Sequence, residues 1–322
     1  MNKRMSKNMV KKLSLLGLLL FAAFVSNAQQ DPQFSYNMFN QLVTNPGFSG
    51  INQAICATAV HRTQWMGFEG HPVTTSFAMD AYLESITSGV GLIVLSDNIG
   101  FEKNVGIKGN YAYQLEVGDG TLGIGIALGF NSKSLDGDWS SPASLEDANT
   151  NVYTDPAIPH SEKHGAFDMG FGAFYSANNL YGGLGINHVI TSKYSFEMEK
   201  PPFLARHYYL TAGYNYQLPN PLFELRPSIF IKSDGVTNQY NLNMLMLYNK
   251  RFWGGLSYRF SGDLVFQVGM ILPNNLKFGL AYDFTMSDIG SYTSGSVEVF
   301  VSYCFNMSIK RSKGTYKSVR FL

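Results

Sequence analysis

Charge is scarce in this 322-residue chain: Asp, Glu, Lys and Arg make up 15% of it, against roughly 25% in soluble globular domains. Neither sign dominates, since 24 Lys+Arg stand against 23 Asp+Glu. Without a basic surplus there is no footprint for nucleic acid. Low charge combined with 24 Phe and 19 Tyr also excludes a disordered chain. Cysteine is nearly absent, with only Cys56 and Cys304. After residue 28 no apolar run reaches 18 residues, so a transmembrane helix is excluded as well.

The N-terminus has its own pattern. Lys3, Arg4, Lys7, Lys11 and Lys12 precede the apolar run Leu13 to Val25, and Ser26-Asn27-Ala28 follows. This is a cleaved signal peptide over residues 1–28, too short in its apolar part to span a bilayer. Its removal takes away five of the 24 cations and leaves 19 against 23 acids, a net of −4. Export also places Cys56 and Cys304 where thiols can pair.

Period-two alternation fills the rest. In Leu122-Gly123-Ile124-Gly125-Ile126-Ala127-Leu128-Gly129-Phe130 every even position is large and apolar, and every odd one is Gly or Ala. The same pattern recurs at Val297 to Phe305, Leu264 to Leu272, Leu276 to Phe284 and Tyr208 to Tyr216. Fourteen such segments are expected, near 55–66, 73–83, 88–96, 104–115, 120–131, 166–176, 180–188, 207–218, 222–233, 238–248, 252–260, 263–272, 275–284 and 295–306. Short links follow the even-numbered segments, and nearly all the long ones follow the odd: 132–165, 189–206 and 285–294. Sorting by parity is the mark of an outer-membrane barrel, with short turns in the periplasm and long loops outside. A soluble sandwich would also alternate, but its second face would be charged. Here that face is Gly, Ser, Thr and Asn, and the apolar face carries Tyr and Phe near strand ends. The expected fold is therefore all-β, a transmembrane antiparallel barrel of about 14 strands over residues 54–306, in outer-membrane lipid. Residues 29–53 form a periplasmic arm or plug, 132–165 a long outer loop, and 307–322 a basic periplasmic tail.

The mature start reads Gln30-Asp31-Pro32-Gln33-Phe34-Ser35-Tyr36-Asn37-Met38-Phe39-Asn40, then Asn45-Pro46-Gly47-Phe48-Ser49-Gly50. It resembles the opening of the PorP/SprF family of outer-membrane proteins of type IX secretion and gliding motility. Arg62-Thr63-Gln64-Trp65, Arg206 to Tyr214, Leu247-Tyr248-Asn249 with Phe252 to Arg259, and the ending Val319-Arg320-Phe321-Leu322 resemble the family too. Gln41 departs from it, where many members have Pro after Asn40. The resemblance implies a non-enzymatic barrel that binds secreted proteins bearing a type IX C-terminal sorting domain. It supports their export or cell-surface attachment, with periplasmic machinery below. The alternative is a passive or plugged channel for small solutes.

No cofactor is expected. His160 and His164 with Asp155 and Glu162 fall in an outer loop lacking a third His or a Cys, so a metal site is not expected there. His61, His188 and His207 stand on different strands, and no Gly-x-Ser-x-Gly elbow occurs. Glycine patterns such as Gly123-x-Gly125 lack a following helix, so they make room in the lumen rather than cradle phosphate. Parity turns Glu224, Arg226, Lys232, Arg259 and Glu298 inward as lumen polar groups. Cys56 and Cys304 fall on the same face of the first and last strands and form a possible disulfide. In the arm, Asp31, Pro32, Phe34, Met38, Phe39, Asn45 and Pro46 are the candidate partner-binding set, either docked on another protein or packed into the lumen. The tail carries Lys310, Arg311, Lys313, Lys317 and Arg320 without an acid, suited to an acidic partner.

Overall fold

A computed structural model describes residues 31–135, 161–196 and 201–305. Residues 1–28, where a signal peptide is expected, most of the loop 132–165 with Asp155 and His160, and the tail 307–322 lie outside the described residues. The strands are β1 (Ile55–Thr63), β2 (Val73–Leu83), β3 (Ser88–Ile99), β4 (Glu102–Val117), β5 (Gly120–Leu135), β6 (Glu162–Ser176), β7 (Leu180–Asn187) and β8 (His207–Tyr214). They continue with β9 (Tyr216–Gln217), β10 (Phe223–Ser233), β11 (Asn238–Tyr248), β12 (Phe252–Arg259), β13 (Asp263–Ile271), β14 (Leu276–Thr285) and β15 (Ser296–Phe305). Each pairs antiparallel with its neighbour, and β1 also pairs with β15 from Ile55↔Phe305 to Thr63↔Val297. The two-residue β9 prolongs β8 beyond Asn215, whose N–H bonds Asn179 O at 2.7 Å. The result is a closed antiparallel barrel of 14 strands, with no edge left for the bilayer to solvate.

Burial inverts the logic of a soluble protein. Leu184, Val268 and Phe130 are 60%, 58% and 56% exposed, whereas Arg62, Asp283 and Glu298 are at most 1% exposed. Along β11 the outward Leu242, Met244, Met246 and Tyr248 alternate with buried Asn241, Asn243, Leu245 and Leu247. Aromatic residues gather at both strand ends on the outside: Tyr248, Phe252, Tyr303 and Phe305 at one, Tyr208, Tyr240, Tyr258 and Phe284 at the other. Such girdles sit at the two membrane interfaces.

The short-link end is periplasmic. One of those turns, Tyr248 to Arg251, places both Asn249 (φ 49°) and Lys250 (φ 53°) in the left-handed region, the mirror-image turn that follows strand twist. On the opposite side the links vary more than the spacing predicts. β3 and β4 join through only Gly100-Phe101, while β4, β5 and β6 run 16, 16 and 15 residues. About 10 tilted residues suffice to cross a bilayer, so these three strands carry roughly 17 Å of extra strand length, at about 3.4 Å per residue. That extension takes in His164, which lies on β6 rather than in a loop.

The inner wall is not uniformly polar. Leu245, Leu247, Trp253, Val265 and Phe300 point inward and are buried. They tolerate that position because residues 31–53 fill the lumen and exclude water from them. The arm enters near the outer ends of β7, β8 and β10, makes one helical turn at Gln41–Thr44, and leaves at the periplasmic end into β1.

Candidate functional site: the plugged lumen and its outer mouth

The arm is held by backbone groups that find buried side chains. Glu298 accepts the N–H groups of Ser35 and Tyr36, each at 2.7 Å, and Gln267 donates to Ser35 O at 2.8 Å. Arg62 bridges Asp283 (2.7 Å) and Glu298 (3.2 Å) and also reaches Ser35 Oγ at 2.8 Å. Arg259 closes the cluster on Asp263 and Asp283, at 2.9 and 3.0 Å. Two guanidinium groups thus face three carboxylates in a dry interior, where charges must be paired and hydrogen-bonded to be tolerated. Tyr36 donates bifurcated bonds to Val268 O and Leu280 O, and its ring packs 5.1 Å from Phe300. Phe39 stacks on Phe300 at 4.9 Å and lies 5.5 Å from Trp253.

The opposite wall receives the arm through missing side chains. A Cβ on Gly123 would lie 2.1 Å from Gly47 O, one on Gly172 2.1 Å from Asn45 Oδ1, and one on Gly185 2.1 Å from Thr44 O. The small inward face of β5, β6 and β7 is therefore a groove cut to the backbone of residues 44–47. Asn45 donates to Ala173 O at 3.0 Å and caps Pro46–Phe48 by accepting from Gly47 N–H. Lower down, Gly50 N–H bonds Asp80 at 2.8 Å and Gln114 reaches Ser49 O at 2.8 Å.

Asp31 heads the plug at the outer mouth. Its carboxylate lies 2.8 Å from His188 Nε2 and accepts from the Tyr209 hydroxyl, while its backbone O takes Lys232 Nζ at 2.8 Å. Burial opposes ionisation of Asp31, but the imidazoles of His188 and His207 outweigh it and hold the carboxyl well below its usual range. Beside it opens a cavity of about 260 Å³, lined by Phe34, Leu95 and Ile99, by Tyr194 and Leu204, and by Lys108. A second cavity of about 250 Å³ lies on the periplasmic side of the plug, between Met38, Phe39, Asp80 and Arg226.

The arm takes the lumen-packed one of the two arrangements that the sequence left open. Asp31, Pro32, Phe34, Met38, Phe39, Asn45 and Pro46 face the chain's own barrel rather than another protein: apolar arm residues bury against the nearest surface, which is the lumen. Of the five inward polar residues, Lys232, Glu298 and Arg259 belong to the plug anchorage, whereas Glu224 and Arg226 pair with each other at 2.7 Å. Cys56 and Cys304 stand opposite in the β1–β15 register and are disulfide-bonded, with Cα atoms 4.1 Å apart. His188 and His207 converge on Asp31, although the sequence separates them. Arg62, Asp283, Asp168 and Gln267 also belong to this network, without a sequence signal for that role. Strand parity alone would turn each inward, but it does not tell which charge meets which.

The sequence profile described as "Type IX secretion system membrane protein PorP/SprF" matches residues 26–303. The chain belongs to the PorP/SprF family. The matched range takes in the whole plug and every strand through Tyr303, so the plug lies within the shared part of this PorP/SprF barrel. No curated protein matches the sequence significantly. Among solved structures, it is similar to the toluene transporter TbuX of Ralstonia pickettii, at 12% identity over 82% of this chain and 92% of that one, TM-score 0.47. The toluene transporter TodX of Pseudomonas putida gives 12% identity over 83% and 93%, TM-score 0.45. Omp33 of Acinetobacter baumannii gives 10% over 79% and 99%, TM-score 0.42. Identity this low carries no function across. This PorP/SprF protein is a membrane-embedded barrel of the outer membrane, in a family that serves protein secretion.

Proposed function

We propose that this barrel acts in type IX secretion as a closed receptor. Its outer mouth binds an exported protein bearing a C-terminal sorting domain and holds it at the cell surface, while its periplasmic end meets the machinery. It carries out no reaction. The observation that supports this reading is the plug itself. Residues 31–50 lie on a groove of missing side chains and on a buried ion cluster, which is a costly arrangement for a pore meant to pass solutes. What remains for recognition is the rim raised by β4, β5 and β6 and the cavity beneath it, whose apolar wall is interrupted by Asp97, Glu102, Lys108 and Lys133. A groove of this kind suits an extended segment with apolar anchors.

The test is affinity purification of the tagged protein from detergent-solubilised outer membranes, with mass spectrometry, beside a Leu204→Arg variant that places charge in the cavity. Recovery of a secreted protein with a sorting domain, lost in the variant, is the expected result. Recovery of the barrel alone, with steady single-channel conductance of the intact protein, would replace this reading with a solute channel.

A further inference from the structure

We propose that Asp31, His188 and His207 form a site for one divalent ion of the zinc class, which latches the head of the plug to the outer ends of β7 and β8. A ligand atom from each of the three lies within 4.8 Å of the others. The two imidazoles are hydrogen-bonded as metal ligands are. His188 Nδ1 lies 2.9 Å from Asp168 Oδ1, and His207 Nδ1 lies 2.9 Å from Ala205 O. Both acceptors fix an Nδ1–H, as a carboxylate or carbonyl behind the ring sets the tautomer of a metal-binding histidine. His188 Nε2 then faces the Asp31 carboxylate. His207 Nε2 takes the Asp31 N–H and its ring lies 4.0 Å from the other carboxylate oxygen, so His207 must swing inward to share an ion. Asp168 is itself held, by Lys108 at 2.7 Å and Asn131 at 2.9 Å.

Two imidazoles and a carboxylate are a donor set for Zn²⁺, and the cavity alongside leaves a fourth position for water. The spacing shows what must move. A tetrahedral ion at about 2.0–2.1 Å from each donor holds N and O about 3.3 Å apart. His188 Nε2 and Asp31 Oδ1 stand at 2.8 Å, the distance of a shared proton. The ion takes the place of that proton and opens the pair by about 0.5 Å. His207 gives up a 3.2 Å bond from Asp31 N–H, and the Tyr209 hydroxyl remains on the other carboxylate oxygen. Nearby cations do not forbid the ion, since Lys108 is neutralised by Asp168 and Lys232 is engaged with Asp31 O. The ligands are 157 and 176 residues apart in sequence, so a bound ion ties arm to wall.

The test uses the full mature chain, purified in detergent with a tag lacking histidine, stripped with EDTA and titrated calorimetrically with ZnCl2. The expected result is one ion per chain. His188→Ala and His207→Gln should each weaken binding at least 100-fold, Asp168→Asn by about 10- to 100-fold as the positioning group, and His164→Ala not at all. Heat-modifiable gel migration certifies that each variant is a folded barrel. Zn²⁺ should raise the temperature at which that folded band is lost in the wild type and leave His207→Gln unmoved. No uptake by the folded wild type, or equal uptake by the two histidine variants, would overturn the proposal.

Discussion

Adding one methyl group to the groove is the sharpest perturbation of the plug. A Cβ on Gly185 would sit 2.1 Å from Thr44 O, whereas ordinary carbon contacts begin near 3.5 Å. In Gly185→Ala the arm must retreat by roughly 1.4 Å. Such a retreat stretches Asn45 Nδ2 to Ala173 O and Asn187 Nδ2 to Val43 O, now 3.0 and 3.2 Å, past bonding range. Two hydrogen bonds at about 0.5–1.5 kcal/mol each, with overpacking of about 1–3 kcal/mol, come to a loss of about 2–6 kcal/mol in plug docking. At about 1.4 kcal/mol per decade, the docked population falls at least 25-fold or so relative to the released one. Gly109→Ala is the matched control, because its Cβ points outward and meets nothing nearer than 3.9 Å. The assay is planar-bilayer conductance of both variants and the wild type. Frequent openings in Gly185→Ala, with wild type and Gly109→Ala closed, are expected. A closed Gly185→Ala, folded by its gel migration, would refute the groove as the plug's seat.

Other perturbations follow from the same geometry. Arg62→Leu leaves Asp283 and Glu298 buried beside one remaining guanidinium, and should cost about 3–5 kcal/mol, read as a lower temperature for loss of the folded band. Cys56→Ser should leave the barrel closed, since nine residue pairs still join β1 to β15, while the denatured wild type alone should change gel mobility on reduction. Asp31 has its folded pKa held below the ordinary carboxyl value of about 3.9, so its contribution to docking is full above about pH 4 and is lost as pH falls through the depressed value. Conductance should therefore stay closed from pH 7 to pH 5, and acid opening should begin only below pH 4. Opening near pH 6 would show that another group controls the plug.

The barrel was legible because a two-residue period repeats wherever one face meets lipid, and because loop length sorts by parity. The strands that overshoot the membrane were not, since the outward face of β4 to β6 there carries Lys103, Ser132, Ser134 and Lys163 in place of apolar residues, so the alternation stops near 104, 131 and 166. The glycines of β5 announced a space but not its occupant. The same small residues would line an open lumen, and only the register brings Gly123, Gly172 and Gly185 into one groove. Arg62, Asp283 and Glu298 lie more than 200 residues apart in part, and barrel shear decides their meeting. The pairing of Asp31 with His188 and His207 depends further on the arm turning back through the barrel, for which the sequence of residues 31–53 gives no periodic signal.

The account stands or falls on what occupies the outer mouth in the cell. A photo-crosslinking residue placed at Ile99 or Leu204, both lining the outer cavity, should capture a secreted protein with a type IX C-terminal sorting domain on irradiation of intact cells. The same residue at outward-facing Leu242 should not. Capture of lipid or of the barrel alone at all three positions would contradict the receptor reading.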